Sequence, residues 1–316
     1  MPKAPLRLAV IDVGTLKCKF EVREFDSQGK STVLHRDKKL TVLGRDLPKT
    51  NNRIIESSIA ATIAALQEFK EVMTKLGVTD CTCITTEAIR KAVNAEEVLE
   101  RIFKETALEL KIMTHDDEAR TFFSHLTKKF PGKKIAVADI GGGSVQLVIG
   151  HDQTIADAFL FKSGTYFMQE FSATHHPTHS ELAAAKKYVQ KEFVPLARKK
   201  HQVDELIYGS TNIIDVMQAV GAALQPSHYA EPHLYRVHRD ELEKLYQRIT
   251  VLPYEARMSM YPDEPYYMWS MDNALINLFA FMDILGVDTV IPTNENISSG
   301  LFSQLLELHE RSSLCL

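Results

Sequence analysis

The chain contains 316 residues, a length that favours two domains. Hydrophobic residues make up 45% of it and charged residues 25%, the ordinary composition of a soluble globular protein. The net charge of −4 predicts neither a nucleic acid nor a membrane as a partner. A polyanionic substrate would therefore have to be met by local basic groups and a metal ion.

The cysteines and the N-terminal sequence predict a cytoplasmic protein. Four cysteines do not make a disulfide framework in a chain of this length, so we expect reduced thiols. No apolar segment follows a basic start, which argues against a signal peptide. The longest apolar stretch, 274–285, contains Asn277 and Asp283 and is too short to cross a bilayer, so we expect a buried helix there.

Strands alternate with helices through the first half of the chain. The first long helix is predicted to be capped by Asn51 or Asn52 and to end at Leu76, before Gly77. A second helix follows Asn94 as its cap, and a third carries Glu118. The predicted strands of this half are 6–23, 31–44, 81–85 and 110–113.

The second half repeats the alternation, which indicates an α/β layering with mixed sheets. Thr178 and Glu181 form a capping box for a helix that is expected to end near Lys200. The final segment, 298–309, has one apolar face and is predicted to be helical. The predicted strands of this half are 136–149, 154–161, 206–208 and 289–291.

One stretch between two apolar runs carries an acid, three glycines and a hydroxyl. Its members are Asp139, Gly141, Gly142, Gly143 and Ser144. Because the glycines have no Cβ, their backbone N–H groups can approach an anion closely, and the acid lies within reach of a metal ion bound to that anion. The alternative interpretation is a plain glycine hairpin.

A second arrangement of the same kind opens the chain. Asp12 ends an apolar run and is followed by Gly14 and Thr15, and a second run begins directly afterwards. The two acids, Asp12 and Asp139, are 127 positions apart. This internal similarity suggests two related halves that close over a phosphorylated ligand from both sides.

With these stretches in place, the chain resembles the exopolyphosphatase and guanosine pentaphosphate phosphohydrolase family of the actin-like superfamily. Thr-Glu-Ala-Ile-Arg, followed about thirty residues later by Asp-Glu-Ala-Arg, is more specific to that family than the glycine turn. The family's longer members carry an extra C-terminal helical domain, and this chain looks like the short form. The resemblance is carried by 11–15, 85–90, 116–120, 139–144 and 208–211.

The resemblance implies an α/β fold of two actin-like (ribonuclease H-like) domains, each a mixed sheet flanked by helices, with a cleft between them. The first domain is expected over 1–121 and the second over 122–299. The C-terminal helix, 300–316, is expected to pack back onto the first domain. A homodimer is also expected, because members of the family often form one.

The resemblance also implies a role for each site residue. Glu118 corresponds to the catalytic base, Asp139 lies by the metal and the attacking water, and Arg90 contacts phosphate. The metal set comprises Asp12, Asp139 and Gln146, with Mg²⁺ as the expected ion and a monovalent cation as an additional candidate. The phosphate-binding set comprises Gly14, Thr15, Leu16, Lys17, Arg90, Gly141, Gly142, Gly143, Ser144, Gly209, Ser210 and Thr211.

The expected reaction is hydrolysis of a terminal phosphoanhydride bond in inorganic polyphosphate, guanosine pentaphosphate (pppGpp) or both. The chain departs from the family's usual pattern at four positions, which are Leu16, Lys17, Gln146 and Phe167. Leu16, Gln146 and Phe167 motivate an alternative, a weakly active or non-catalytic regulatory protein that binds alarmones or nucleotides. A further alternative, an ATPase or small-molecule kinase, is suggested by Lys19.

Overall fold

The structure, a computed structural model, describes residues 5–171, 177–210, 212–229 and 234–314. The chain divides into two compact units, Met1–Glu118 with Ile297–Leu316, and Ala119–Asn296. The limits 118 and 296 each lie three residues before the expected 121 and 299. Within the residues that the structure describes, no helix combines the length and the hydrophobicity needed to cross a lipid bilayer.

Strands and helices alternate in both units. The strands are β1 (Leu6–Val13), β2 (Lys17–Phe25), β3 (Ser31–Leu40), β4 (Asp80–Thr85), β5 (Lys111–Ile112), β6 (Lys134–Ile140), β7 (Val145–His151), β8 (Thr154–Phe161), β9 (Glu205–Gly209), β10 (Gln225–Pro226), β11 (Tyr235–His238) and β12 (Thr289–Thr293). The helices are α1 (Glu56–Leu76), α2 (Glu87–Lys91), α3 (Ala95–Thr106), α4 (His115–Thr127), α5 (His179–Glu192), α6 (Val194–Ala197), α7 (Ile213–Ala219), α8 (Arg239–Thr250), α9 (Tyr254–Met258), α10 (Pro265–Trp269), α11 (Met271–Leu285) and α12 (Ile297–Leu314).

The first unit contains a five-stranded mixed sheet in the order β3-β2-β1-β4-β5. β1, β2 and β3 form an antiparallel meander, and β4 and β5 run parallel to β1. Strand side chains alternate between the two faces. Ala9 and Ile11 join a core with Leu66 of α1, whereas Leu8 joins a core with Phe302 of α12. Both faces of β1 are therefore covered by helices.

The start of α1 corrects one prediction. Asn51 and Asn52 do not cap the helix, which begins at Glu56. Both asparagines have a positive φ, 51° and 60°, and lie in a run of turns, a conformation that asparagine tolerates better than most residues. The predicted end is confirmed, because Gly77 closes the helix with a left-handed backbone.

The second unit contains a seven-stranded mixed sheet in the order β10-β11-β12-β9-β6-β7-β8. The segment predicted as 136–149 is an antiparallel hairpin of β6 and β7 around the glycine turn. β9 runs parallel to β6, and β12 runs parallel to β9. The prediction of an α/β fold with two mixed sheets flanked by helices is confirmed.

Helices cover both faces of this second sheet as well. Ala138 and Leu147 belong to a core with residues of α5, α8 and α11, and Val137 packs on the opposite face with Phe123 of α4. The capping box of Thr178 and Glu181 at the start of α5 is confirmed. α5 ends at Glu192 and not near Lys200, because Pro195 has no backbone N–H and lies in the first turn of a separate short helix, α6.

Candidate active site

Three segments that carry the family resemblance lie close together at one end of the strands in the first unit. β1 and β4 are parallel, with Asp12 opposite Ile84 and Val13 opposite Thr85. The Thr85 hydroxyl donates to the carbonyl of Val13 (3.0 Å), and the Thr85 carbonyl accepts from the N–H of Met113 (2.9 Å). The first glycine turn, α2 and the start of α4 therefore gather at the carboxyl ends of parallel strands, where α/β proteins usually bind their ligands.

Arg90 is the centre of a buried network at this edge. Its guanidinium donates to the carboxylate of Glu118 and to the carbonyl of Met113. Its Nη2 lies 3.0 Å from Oε2 of Glu87 and 3.0 Å from Nδ1 of His115. The side chains of Arg90 and Glu118 are only 14% and 10% exposed. The structure thus joins the predicted phosphate contact to the predicted base in one ion pair.

Glu87 and His115 are members of this network that the sequence analysis missed. Burial raises the pKa of Glu87, but hydrogen bonds from Lys91 and Arg90 outweigh it, and the pKa is lowered overall. Burial, followed by the charge of Arg90, lowers the pKa of His115. A neutral His115 can accept from Arg90 at Nδ1 while its Nε2 lies 3.3 Å from Glu87. Glu87 lies three residues before Arg90, a spacing at which side chains on a helix pair, and this is the sequence signal that could have identified it.

The first glycine turn is closed by a hydrogen bond from the N–H of Gly14 to the carbonyl of Lys17 (3.0 Å). The Thr15 carbonyl accepts from the N–H of Gly44 (2.8 Å). The N–H groups of Thr15 and Leu16 donate to no residue that the structure describes. The turn itself therefore uses the N–H of Gly14, one of the predicted phosphate contacts.

Asp12 is already paired with a cation. It is 4% exposed and lies directly opposite Lys19 across the β1–β2 hairpin. The ammonium of Lys19 is 3.1 Å from Oδ2 of Asp12. Lys19 thus points toward the carboxyl end of β1, and part of the negative charge of Asp12 is compensated within the first unit.

The second glycine turn has the same closure as the first. The N–H of Gly141 donates to the carbonyl of Ser144 (3.0 Å), and the Gly141 carbonyl accepts from the N–H of Thr165 (2.9 Å). Among the described residues, no acceptor faces the N–H groups of Gly142, Gly143 or Ser144. Three consecutive free donors in a turn form a concave site suited to an anion.

The backbone of Gly164 packs directly against this turn. A Cβ at Gly164 would lie 2.4 Å from the carbonyl carbon of Gly143, 2.5 Å from the oxygen of Gly142 and 2.6 Å from the nitrogen of Ser144. Only a glycine permits this close approach of two backbones. Phe167, one of the family departures, lies beyond it in a 3₁₀ helix, with its ring 5.8 Å from that of Tyr166.

Asp139 lies near the end of β6, which is flanked by β7 on one side and β9 on the other. It is opposite Gln146 of β7 and opposite Gly209 of β9. Residues directly opposite each other on neighbouring strands share a face, so the side chains of Asp139 and Gln146 lie side by side. Gly209 has a packing reason for being glycine, because a Cβ there would lie 2.1 Å from the Phe122 ring.

Hydroxyl groups surround the end of β9. Tyr267 donates to the Oγ of Ser210 (2.6 Å), so the hydroxyl of this predicted phosphate contact is already hydrogen-bonded. Burial, followed by the charge of Asp139, raises the pKa of Tyr208, so its hydroxyl stays protonated at neutral pH. Thr211, also a predicted phosphate contact, lies outside the described residues.

The two mixed sheets, each with an acid and a glycine turn at the carboxyl ends of parallel strands, define an actin-like α/β protein. The chain matches the Ppx/GppA phosphatase family over residues 22–309. Since this match covers most of the sequence, the chain belongs to that family.

Individual relatives and solved structures agree with this assignment. Exopolyphosphatase 2 of Mycobacterium tuberculosis is 23% identical over 272 residues, which cover 82% of this chain and 84% of that protein. Exopolyphosphatase 1 of the same organism is 29% identical over 150 residues, 47% of this chain and 43% of that protein. The chain thus spans less than half the length of several curated relatives that it matches. The crystal structure of an exopolyphosphatase from Cytophaga hutchinsonii superposes with a TM-score of 0.84 over 95% of this chain and 98% of that one, at 18% identity, which shows the fold alone.

Proposed function

We propose that the protein is a Mg²⁺-dependent phosphoanhydride hydrolase that releases the terminal phosphate of inorganic polyphosphate, of guanosine pentaphosphate, or of both. The observation that carries this proposal is the buried pair of Arg90 and Glu118 at the carboxyl edge of the first sheet. Its two members come from the two sequence runs that are most specific to the family.

Glu118 is the proposed general base. A carboxylate can orient a water molecule for in-line attack on phosphorus and accept its proton. Arg90 holds this carboxylate in one position, and the neutral ring of His115 adds no positive charge of its own. The buried Nε of Arg90 has no hydrogen-bond partner among the described residues.

The two glycine turns are the proposed phosphate sites. The N–H groups of Thr15 and Leu16 and of Gly142, Gly143 and Ser144, which have no acceptor in the described part of the chain, can each donate to a phosphate oxygen. Charge on the transferred phosphoryl group spreads over its oxygens in the transition state, so fixed donors of this kind stabilise it.

The oxygen donors in the second unit suit a Mg²⁺ ion. Asp139 and Gln146 lie side by side, and Mg²⁺ needs only one or two carboxylates when phosphates and water complete its shell. Among the described residues, no three His, Cys, Asp or Glu side chains form a metal-binding group. When bound, the ion would offset negative charge on the phosphate oxygens. Asp12 suits the ion less well, since Lys19 already compensates it.

A side-by-side assay tests the proposal. Phosphate release is measured from polyphosphate, pppGpp and ATP, each with Mg²⁺ and with a chelator. We expect release from polyphosphate, pppGpp or both that depends on Mg²⁺, and little from ATP. Turnover of ATP alone would identify the ATPase or kinase alternative. Tight binding of a guanosine nucleotide in calorimetry, without turnover of any substrate, would favour the regulatory alternative suggested by Leu16 and Gln146.

The expected homodimer remains a separate prediction. Light scattering during size-exclusion chromatography measures the mass in solution, and a mass near twice 35.7 kDa would support it.

A further inference from the structure

The second unit contains a cavity of about 810 Å³ between α5, α8 and α11. Each helix contributes one stripe of side chains at helical spacing, and the lining includes none of the residues assigned to the phosphate site. The walls are mostly apolar, and Phe279, Ala280 and Ile284 remain partly exposed there. Ligand pockets usually measure about 300–1,000 Å³ and are lined mainly by apolar side chains, so the cavity has the size and character of a small-molecule site.

Lys186 is an exposed cation at this cavity, without a carboxylate partner among the described residues. Its ammonium lies 5.0 Å from the centre of the Tyr246 ring. The other cation of the lining, Arg239, differs, because it contacts Glu243 at 2.7 Å and Asp283 at 2.5 Å. The α5 wall therefore carries a positive charge that an anionic group can neutralise.

Tyr246 adds an aromatic ring to the wall. The residue is 9% exposed, and its buried hydroxyl has no hydrogen-bond partner among the residues that the structure describes. Burial, followed by the charge of Asp272, raises the pKa of Tyr246 to about 12, so the hydroxyl remains a donor at neutral pH. Because this hydroxyl is inaccessible to solvent, Tyr246 contributes to the wall the ring that lies beneath Lys186, and not its hydroxyl.

We propose that this cavity binds an amphipathic monoanion, a molecule with an apolar alkyl body and a single carboxylate, of the medium-chain fatty acid class. The body lies against Leu182, Ile276 and Phe279, and the carboxylate pairs with Lys186. Burial of apolar surface supplies the affinity, at roughly 25 cal/mol per Å². The single uncompensated cation selects an anionic head over a neutral or positive one.

Calorimetry with decanoate, below its micelle concentration and on the full chain, tests the proposal. Wild type should bind decanoate, and decanol should bind more weakly. Lys186→Glu should weaken decanoate binding by about tenfold or more, since a hydrogen bond between charged groups is lost and replaced by repulsion. The matched control is Lys187→Glu, an exposed neighbour outside the lining, which should bind as wild type does.

A second variant tests the location independently. Ala183→Trp adds an indole to the exposed side of the lining and should abolish binding without altering the melting temperature much. Absence of binding to wild type, equal binding of decanol and decanoate, or unchanged binding by Ala183→Trp would each overturn the proposal. A dimer that Ala183→Trp converts to monomer, with no decanoate bound to wild type, would assign the cavity to a second copy of the chain instead.

Discussion

Gly164→Ala should damage the second glycine turn without touching any predicted catalytic group. The new Cβ would lie 2.4–2.6 Å from three backbone atoms of residues 142–144. Carbon atoms in contact are normally about 3.5–4.0 Å apart, so the turn has to move by roughly 1 Å. Overpacking of this kind costs about 1–3 kcal/mol of stability. A misplacement of about 1 Å at a reacting group can cost about 100-fold in rate.

The assay is Mg²⁺-dependent phosphate release from polyphosphate, with urea unfolding measured on the same samples. Gly132→Ala is the matched control. Gly132 has a φ of +69° and no atom within 4 Å of the added Cβ, so the substitution strains the backbone by about 1–2 kcal/mol and disturbs no site. Both variants should lose stability, and only Gly164→Ala should lose about two orders of magnitude in kcat/KM. Full activity in Gly164→Ala would refute the role of this turn.

Three further perturbations have defined outcomes. Arg90→Lys loses the planar fork that holds Glu118, and kcat/KM should fall by about 10- to 100-fold, whereas an unchanged value would remove Arg90 from the site. Asp272→Ala leaves the fully buried Arg257 without its partner at 3.0 Å, and urea unfolding should show a loss of about 3–5 kcal/mol. A loss below about 1 kcal/mol would mean that this pair behaves like a surface pair. In the folded protein the pKa of His115 is lowered from 6.5. The neutral ring therefore stabilises the fold fully above pH 6.5, and this stabilisation is lost as the pH falls from 6.5 toward the lowered pKa. The melting temperature of wild type should therefore fall more than that of His115→Gln between about pH 7.5 and about pH 5.5, and parallel curves would contradict this.

Much of the fold follows from local rules that the sequence displays. The glycine run between two apolar runs predicted the β6–β7 hairpin, and the Thr178 capping box predicted the start of α5. The start of α1 was predicted wrongly because two asparagines took left-handed turn conformations. Asn94 does precede α3, but its side chain bonds the backbone of Ile54, 40 residues away, a tertiary contact that no local rule contains.

Local rules of the sequence also predict part of the candidate site. The pairing of Asp12 with Lys19 follows from hairpin register, since a turn at 14–16 places these two residues opposite each other. The contact between Arg90 and Glu118 depends on how β4, β5 and the start of α4 come together. The family resemblance gave both residues a role in the site but did not predict that they contact each other. Only the structure shows that the first glycine turn uses the N–H of Gly14 for its own closing hydrogen bond.

The most direct test of the proposed function is the rate of phosphate release from polyphosphate with Mg²⁺ by Glu118→Gln. Glu100→Gln on the exposed face of α3 serves as the matched control. A general base contributes about 10²- to 10⁴-fold, so Glu118→Gln should be slower by at least about 100-fold while Glu100→Gln keeps the wild-type rate. Equal rates for the two variants would contradict the assignment of Glu118 as the base.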